Sequence, residues 1–127
     1  MPIEGSLSVL LVDDDAVDRE LFIDAIGMAA KKYHVAEADN GEKALAYLNQ
    51  TRQLPDLIIL DKQLSGVDGL DICRHLKNKA ETSHIFIVMT SATPHVARLA
   101  AAALADAFIE KPFNNVDLVE NVKKLLS

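Results

Sequence analysis

Residues 56–61 read DLIILD, four consecutive aliphatic residues between two aspartates. A continuous apolar run of this length, bounded by polar residues, is typical of a parallel strand that is covered on both faces of its sheet. A second run of this kind, LLVDDD at residues 10–15, ends in three aspartates. Two buried strands that both end on acidic residues indicate a parallel sheet with a charged site at one edge.

Similar short runs, separated by helical patterns, extend this layout over the whole chain. The predicted strands cover residues 9–12, 35–38, 57–60, 85–89 and 107–109. Apolar residues at helical spacing follow each strand, for example Ala44, Leu45 and Leu48 after the second. This alternation predicts an α/β fold of the doubly wound type: a five-stranded parallel sheet with five helices on its two faces.

The composition is that of a soluble globular chain. Half of the 127 residues are hydrophobic and 25% are charged, which excludes disordered, collagen-like and coiled-coil classes. The sequence shows no signal peptide pattern and no apolar run near the roughly 20 residues of a membrane span. The single cysteine, Cys73, is typical of a reducing compartment. We therefore expect a cytoplasmic protein, and the net charge of −6 argues against a nucleic-acid surface.

Polar residues suited to phosphoryl transfer fall where the predicted strands end. Asp13 and Asp14 follow the first strand, Asp61 the third, Thr90 the fourth and Lys111 the fifth. Because the carboxyl ends of parallel strands meet at one edge, we expect these side chains to converge. The three carboxylates would repel one another, and a hard divalent cation such as Mg²⁺ removes that repulsion. A carboxylate beside such a cation can attack phosphorus, with a lysine opposite to stabilise the charge.

Each of these residues also has an ordinary structural explanation when it is taken alone. Acidic residues after a strand favour the N-terminus of the next helix, and we expect Asp15 to be such a cap. An aspartate after a strand is commonly a turn residue, and an isolated loop lysine is commonly exposed. The functional interpretation therefore depends on the convergence of these residues and not on any single one.

Five motifs in order resemble the receiver domain of bacterial two-component response regulators, from residue 7 to residue 126. They are LLVDDD (10–15), DLIILD (56–61), GVDG (66–69), MTSA (89–92) and KPF (111–113). Each motif is weak alone, but all five at these separations are specific. The resemblance implies a flavodoxin-like, receiver-type fold. Residues 7–127 would be the receiver domain, and residues 1–6 a leader or a cloning remnant.

The resemblance also implies a role for each site residue. Asp61 is the implied phosphoacceptor, Lys111 the lysine that contacts the phosphoryl group, and Thr90 the hydroxyl residue beside it. The protein ligands implied for Mg²⁺ are Asp13, Asp14, Asp61 and the backbone carbonyl of Gln63. Thr90 and Phe108 are the implied switch residues. Two positions depart from the common pattern. Ser65 stands where proline is frequent before the glycine of the turn, and Lys62 follows Asp61 where an apolar residue is usual. We expect the side chain of Lys62 to point to solvent.

The implied function is a phosphorylation-controlled signalling switch. A histidine kinase or a histidine phosphotransfer protein would supply the phosphoryl group. The domain would be no enzyme beyond catalysing its own phosphoryl transfer and dephosphorylation. The face made by the fourth helix, the fifth strand and the fifth helix would then regulate a downstream protein or a fused output domain. The domain itself is expected to bind neither nucleic acid nor membrane.

Two other functions share parts of this pattern. A haloacid-dehalogenase-type phosphatase also forms an aspartyl phosphate, but it needs a second aspartate two residues after the nucleophile, where this chain has Gln63. A flavin-binding module of similar architecture needs a Gly-, Ser- or Thr-rich loop after the first strand. The acidic triplet at residues 13–15 would repel a flavin phosphate there. Both fit the sequence less well than a receiver domain.

Overall fold

The computed structural model describes residues 5–93, 96–111 and 114–127, and strands alternate with helices throughout this part of the chain. The elements are β1 (Leu7–Val12), α1 (Ala16–Ala29), β2 (Tyr33–Ala38), α2 (Gly41–Gln50), β3 (Leu57–Asp61), α3 (Gly69–Lys77), β4 (Phe86–Ser91), α4 (Val96–Ala102), β5 (Ala107–Glu110) and α5 (Asn115–Leu126). All five strands pair in parallel in one sheet of order β2-β1-β3-β4-β5. The predicted five-stranded, doubly wound fold is confirmed.

The ends of the strands differ from the predicted bounds by a few residues. β4 begins at Phe86 because the N–H of Ile85 is donated to the carbonyl of Thr82 and closes the preceding turn. The same strand continues through Thr90 and Ser91, which pair with Ile109 and Glu110 of β5. Backbone pairing does not depend on side-chain polarity, so an apolar run marks the buried part of a strand and not its ends.

Two hydrophobic clusters cover the two faces of the sheet. On one face, Leu10 and Ile58 pack with residues of α2, α3 and α4. On the other, Leu11 and Ile59 pack with residues of α1 and α5. Side chains alternate along a strand, so a strand buried on both faces needs an uninterrupted apolar run. This is why the runs at residues 10–12 and 57–60 contain no polar residue.

Side-chain caps start four of the helices directly after the loops at the carboxyl ends of the strands. Asp15, Asn40, Asp68 and Asn114 are the N-caps of α1, α2, α3 and α5, and each accepts backbone N–H groups of the first turn. Such a cap contributes about 1 kcal/mol to stability. The expectation that Asp15 caps a helix is therefore confirmed.

The order of the strands determines where a site can form. The chain passes from β1 outward to β2 and then crosses back to β3, so the connections after β1 and β3 diverge. In open α/β sheets this divergence leaves a crevice at the carboxyl ends of the two strands. The crevice lies between residues 12 and 61.

Among the described residues, no helix combines the length and the apolar character needed to cross a bilayer.

Cys73 lies on the buried face of α3, and its thiol donates a hydrogen bond of 3.4 Å to the carbonyl of Ala103. Burial raises the pKa of this thiol to about 11. At about pH 8 we expect a thiol-specific reagent to leave the folded protein unmodified, because only roughly one thiol in a thousand is then ionised and the sulfur is covered. The same reagent should titrate one thiol in denaturant. Equal reaction rates in the two conditions would contradict this packing.

Candidate functional site

The carboxyl ends of three strands bring together two carboxylates and an ammonium group. Asp61 is the last residue of β3, Asp13 directly follows β1, and Lys111 directly follows β5. The Nζ atom of Lys111 lies 2.9 Å from Oδ2 of Asp13 and 3.1 Å from Oδ2 of Asp61. One lysine therefore bridges the crevice between β1 and β3.

Because Asp13 and Asp61 are buried, their carboxylates and the Lys111 ammonium affect one another's protonation. Asp13 is 1% exposed and Asp61 is 5% exposed. Burial raises the pKa of the Asp13 carboxyl, although hydrogen bonds from the Asp15 N–H and from Lys111 act in the opposite direction. Burial alone would lower the pKa of Lys111, but its hydrogen bonds to Asp18 and Asp13 and the charge of Asp61 outweigh it and hold that pKa above its usual value. Lys111 therefore carries a positive charge at neutral pH.

Three carboxylates at this edge form a cluster suited to a divalent cation. Asp13, Asp14 and Asp61 each offer an oxygen, and these oxygens lie within 4.8 Å of one another. Asp14 is exposed, while the other two are buried. Clustered carboxylate oxygens with one side open to solvent are typical of sites for hard divalent cations, which keep several water ligands. The donor set therefore fits such a cation.

The hydroxyl of Thr90 lies next to this cluster without a hydrogen-bond partner. Thr90 pairs with Asp61 in the ladder between β3 and β4, and its carbonyl accepts the N–H of Lys62. The residue is 1% exposed, and among the described residues its Oγ1 is the buried side-chain polar atom that lacks a partner. Leaving a buried hydroxyl unsatisfied costs about 1–3 kcal/mol. The site thus holds an unused donor beside Asp61.

The loop after β3 is held close to Asp61 by its backbone. The N–H of Gln63 is donated to Oδ1 of Asp61 at 3.3 Å, and the amide Nε2 of Gln63 lies 3.5 Å from Oγ1 of Thr93. Gly69 starts α3 against the end of β3, and a Cβ atom there would lie 2.1 Å from the carbonyl oxygen of Asp61. Only glycine permits this approach, so Gly69 of the GVDG motif maintains the position of Asp61.

The side chain of Lys62 differs from the expectation that it points to solvent. Its Nζ lies 3.4 Å from Oδ2 of Asp68, and the side chain is 22% exposed. Asp68 is the N-cap of α3 and therefore presents its carboxylate to the loop after β3. Lys62 thus pairs with the N-cap residue of α3.

One residue of the site was not predicted from the sequence. Oδ2 of Asp18 lies 2.9 Å from Nζ of Lys111, as close as the carboxylate of Asp13. Asp18 lies in the first turn of α1, three residues after its N-cap Asp15. The sequence signal is an acidic residue in the first turn of the helix that follows β1. Such residues are usually explained by the helix dipole alone, which is why the pattern gave no functional indication.

The second expected switch residue, Phe108, lies in β5, which is separated from the strand of Asp61 by β4. It pairs in register with Met89, the residue before Thr90. Its ring is half-buried against the cluster that contains Ala100 and Ala103, at the end of α4. Phe108 therefore connects β4, which carries Thr90, with α4.

Pro112 and Phe113 of the KPF motif lie outside the described residues.

Comparison with known families identifies this architecture. Residues 9–123 match the response regulator receiver domain, and the chain belongs to that family. A phosphate regulon transcriptional regulatory protein, PhoB of Pseudomonas aeruginosa, is 36% identical over 123 residues, which cover 94% of this chain and 51% of PhoB. A probable transcriptional regulatory protein of Picosynechococcus is 34% identical over 93% of this chain and 48% of that protein. The chain thus spans about half the length of these relatives.

Solved structures agree with this assignment. The phosphorylated cyanobacterial phytochrome response regulator RcpA has a TM-score of 0.84 and 25% identity, with 95% of this chain and 91% of RcpA covered. The chemotaxis response regulator CheY4 of Vibrio cholerae has a TM-score of 0.81 at 24% identity, with 96% of this chain and all of CheY4 covered. The second likeness supports the fold alone. The family match confirms the resemblance seen in the five motifs. Receiver domains are phosphoryl-accepting signalling domains and not classical enzymes.

Replacing Lys111 by Met should destabilise the protein by about 3 kcal/mol in the presence of a chelator, because two buried carboxylates then lose their cation. A divalent cation should restore most of this loss, so Mg²⁺ should raise the melting temperature of Lys111→Met by more than that of the wild type. Thermal denaturation with chelator and with Mg²⁺ measures both effects.

The exposed pair of Lys43 and Asp39 provides the matched control for this measurement. Lys43→Met should cost less than about 1 kcal/mol, as is usual for a surface ion pair, and should not respond to the cation. A Lys111→Met variant as stable as Lys43→Met would contradict the proposed dependence of the buried carboxylates on Lys111.

Proposed function

We propose that this receiver domain accepts a phosphoryl group on Asp61 from the phosphorylated histidine of a kinase or a phosphotransfer protein. The observation that carries the proposal is the position of Lys111, with Nζ 3.1 Å from the Asp61 carboxylate at the mouth of the crevice. The partnerless hydroxyl of Thr90, in register with Asp61, supports the same assignment. A relative of the same fold, RcpA, has been solved in its phosphorylated form.

In the proposed reaction, a carboxylate oxygen of Asp61 attacks phosphorus and forms a new P–O bond. The P–N bond to the donor histidine breaks, and the imidazole nitrogen keeps the electron pair. Lys111 then donates a hydrogen bond to a phosphoryl oxygen, which charge-assisted pairing favours. The hydroxyl of Thr90 donates a hydrogen bond to a second phosphoryl oxygen. These two donors stabilise charge on the transferring group.

We propose Mg²⁺ as the cation of the acidic cluster, held by Asp13, Asp14, Asp61 and the backbone carbonyl of Gln63. The cluster's oxygens and the exposure of Asp14 support this choice. When bound, the cation supplies positive charge beside the phosphoryl oxygens. Asp13 and Asp14 would hold it from the β1 side of the crevice, and Asp61 and the carbonyl of Gln63 from the β3 side.

The chemistry is limited to the domain's own phosphoryl transfer and dephosphorylation. A dehalogenase-type phosphatase would need an acid at the position of Gln63, whose side-chain amide is directed to Thr93 instead. A signalling role in the cytoplasm, without membrane or direct nucleic-acid contact by this domain, agrees with the net charge of −6. The partner that receives the signal is a separate protein or a fused output domain, since the relatives are about twice as long as this chain.

We propose that the signal leaves the site through Thr90 and Phe108. When the Thr90 hydroxyl turns to a phosphoryl oxygen, the packing around β4 changes, and Phe108 in the adjacent strand repacks against α4. The face formed by α4, β5 and α5 then presents a different surface to the partner. Such a change is a shift between two packings of one fold, driven by a local hydrogen bond.

The assignment of Asp61 is tested by incubation with acetyl phosphate and analysis of the intact protein by mass spectrometry. We expect one added phosphoryl group with Mg²⁺ and none with chelator. Asp61→Asn should remain unmodified because it lacks the nucleophilic carboxylate. Asp71→Asn, which changes an exposed carboxylate in the first turn of α3, should behave like the wild type. Modification of Asp61→Asn at the wild-type rate would overturn the assignment.

The switch is tested with Phe108→Ala, which we expect to accept the phosphoryl group but to lose most of the response of the output face. Backbone amide chemical shifts of residues 100–104 and 115–119, with and without beryllofluoride, report that response. Tyr33→Ala, an aromatic change in the opposite edge strand, is the control and should respond as the wild type does. Equal shift changes in Phe108→Ala and the wild type would show that the ring only packs the core.

A further inference from the structure

The ammonium of Lys111 forms ion pairs with three carboxylates. Asp13 and Asp18 lie at 2.9 Å and Asp61 at 3.1 Å. Asp13 and Asp61 are already accounted for by the acidic cluster, but Asp18 is not part of it. A third carboxylate on one ammonium adds negative charge to a site that has to accept a phosphoryl anion, so its presence calls for a specific explanation.

The position of Asp18 in its helix does not account for this contact. Asp18 is the third residue after the N-cap Asp15, where an acidic side chain commonly turns back to the N–H of the cap. Here the N–H of Asp15 is donated to Oδ1 of Asp13 at 2.9 Å instead. The carboxylate of Asp18 is therefore not engaged by its own helix in this way, and it faces Lys111.

The neighbouring cation does not neutralise Asp18 either. Arg19 donates through Nη1 to the carbonyl of Asp13 at 2.6 Å and through Nε to Glu37 at 3.1 Å. The side chain of Asp18 is 23% exposed, so it is only partly screened by water. Lys111 is the cation to which the structure pairs it, and the two form a partly buried ion pair next to Asp61.

We infer that Asp18 is a positioning residue of the phosphoryl site: it holds the Lys111 ammonium in place and offsets part of its charge, which weakens the attraction of the site for a phosphoryl group. This inference rests on the proposed function of Asp61. When a phosphoryl group is attached to Asp61, its oxygens compete with Asp18 for the same ammonium. Asp18 therefore sets how strongly Lys111 favours the phosphorylated state over the unmodified one.

The direction of the effect follows from charge. Asp18→Asn keeps an oxygen acceptor for Lys111 but removes one negative charge about 6 Å from the expected phosphoryl oxygens. At an effective dielectric constant of about 40, between the values for a protein surface and for bulk water, this corresponds to about tenfold in affinity. Asp18→Glu keeps the charge. Glu20→Gln removes the same charge from an exposed position on the same helix and is the matched control.

The experiment measures the half-saturating concentration of beryllofluoride, and of acetyl phosphate, at saturating Mg²⁺. For Asp18→Asn we expect both concentrations to fall about tenfold, with the maximal rate of phosphorylation changed by less than about threefold. Asp18→Glu and Glu20→Gln should match the wild type. Asp18→Ser removes the charge with a smaller side chain and should show the same fall, so the test does not depend on the folding of one variant.

The outcomes separate this inference from the function on which it rests. If the wild type takes up the phosphoryl group and Asp18→Asn has an unchanged or raised half-saturating concentration, Asp18 has only a structural role and the inference is overturned, while the assignment of Asp61 stands. If Glu20→Gln shows the same fall as Asp18→Asn, net charge and not the contact with Lys111 is responsible, which also overturns it. A wild type that accepts no phosphoryl group removes both proposals.

Discussion

The ammonium of Lys111 is the interaction on which the rest of the site depends. Two carboxylates with nearly no solvent exposure lie on either side of the crevice between β1 and β3, and each would be costly to bury alone. Lys111 contacts both and so makes their burial possible in this state of the protein. Under the proposed function, Lys111 stabilises the unmodified site through these contacts and would have to change partners when a phosphoryl group is attached to Asp61.

The sheet order places this lysine where it can change partners. Lys111 follows β5, an edge strand, whereas Asp13 directly follows the inner strand β1 and Asp61 ends the adjacent inner strand β3. The two carboxylates are therefore fixed by strands that are paired on both sides. Gly69 adds to this rigidity, since the close contact of α3 with the Asp61 carbonyl leaves Asp61 little freedom. Asp61 is held rigidly, and its counter-ion Lys111 follows an edge strand.

The fold and the residues at the strand ends could be predicted from the sequence because both follow from one pattern. Apolar runs at residues 57–60 and 10–12 locate the buried strands, and the polar residue that ends each strand has to lie at the same edge. The role of Asp18 could not be predicted in this way. Its contact with Lys111 joins two elements that are distant in sequence, and it depends on the direction in which a first-turn side chain points. The pairing of Lys62 with Asp68 could not be predicted either, because a helix-cap residue can bind a side chain as well as its own backbone.

The constraints on β5 differ at its two ends, and this suits a signalling role. Before its first residue, Asp106 accepts the N–H of Ile87 and pairs with Lys77 at 2.6 Å, and Lys77 also donates to the carbonyl of Ile85. That end of the strand is fixed to β4 and α3. The helix before it, α4, has seven residues and buries two of them, Val96 and Ala100, so it buries less apolar area than the longer helices and is held less firmly. At the other end, the N–H of Lys111 is donated to the carbonyl of Ser91 in β4, so a change of partner at the Lys111 ammonium would act where β5 meets β4 next to Thr90.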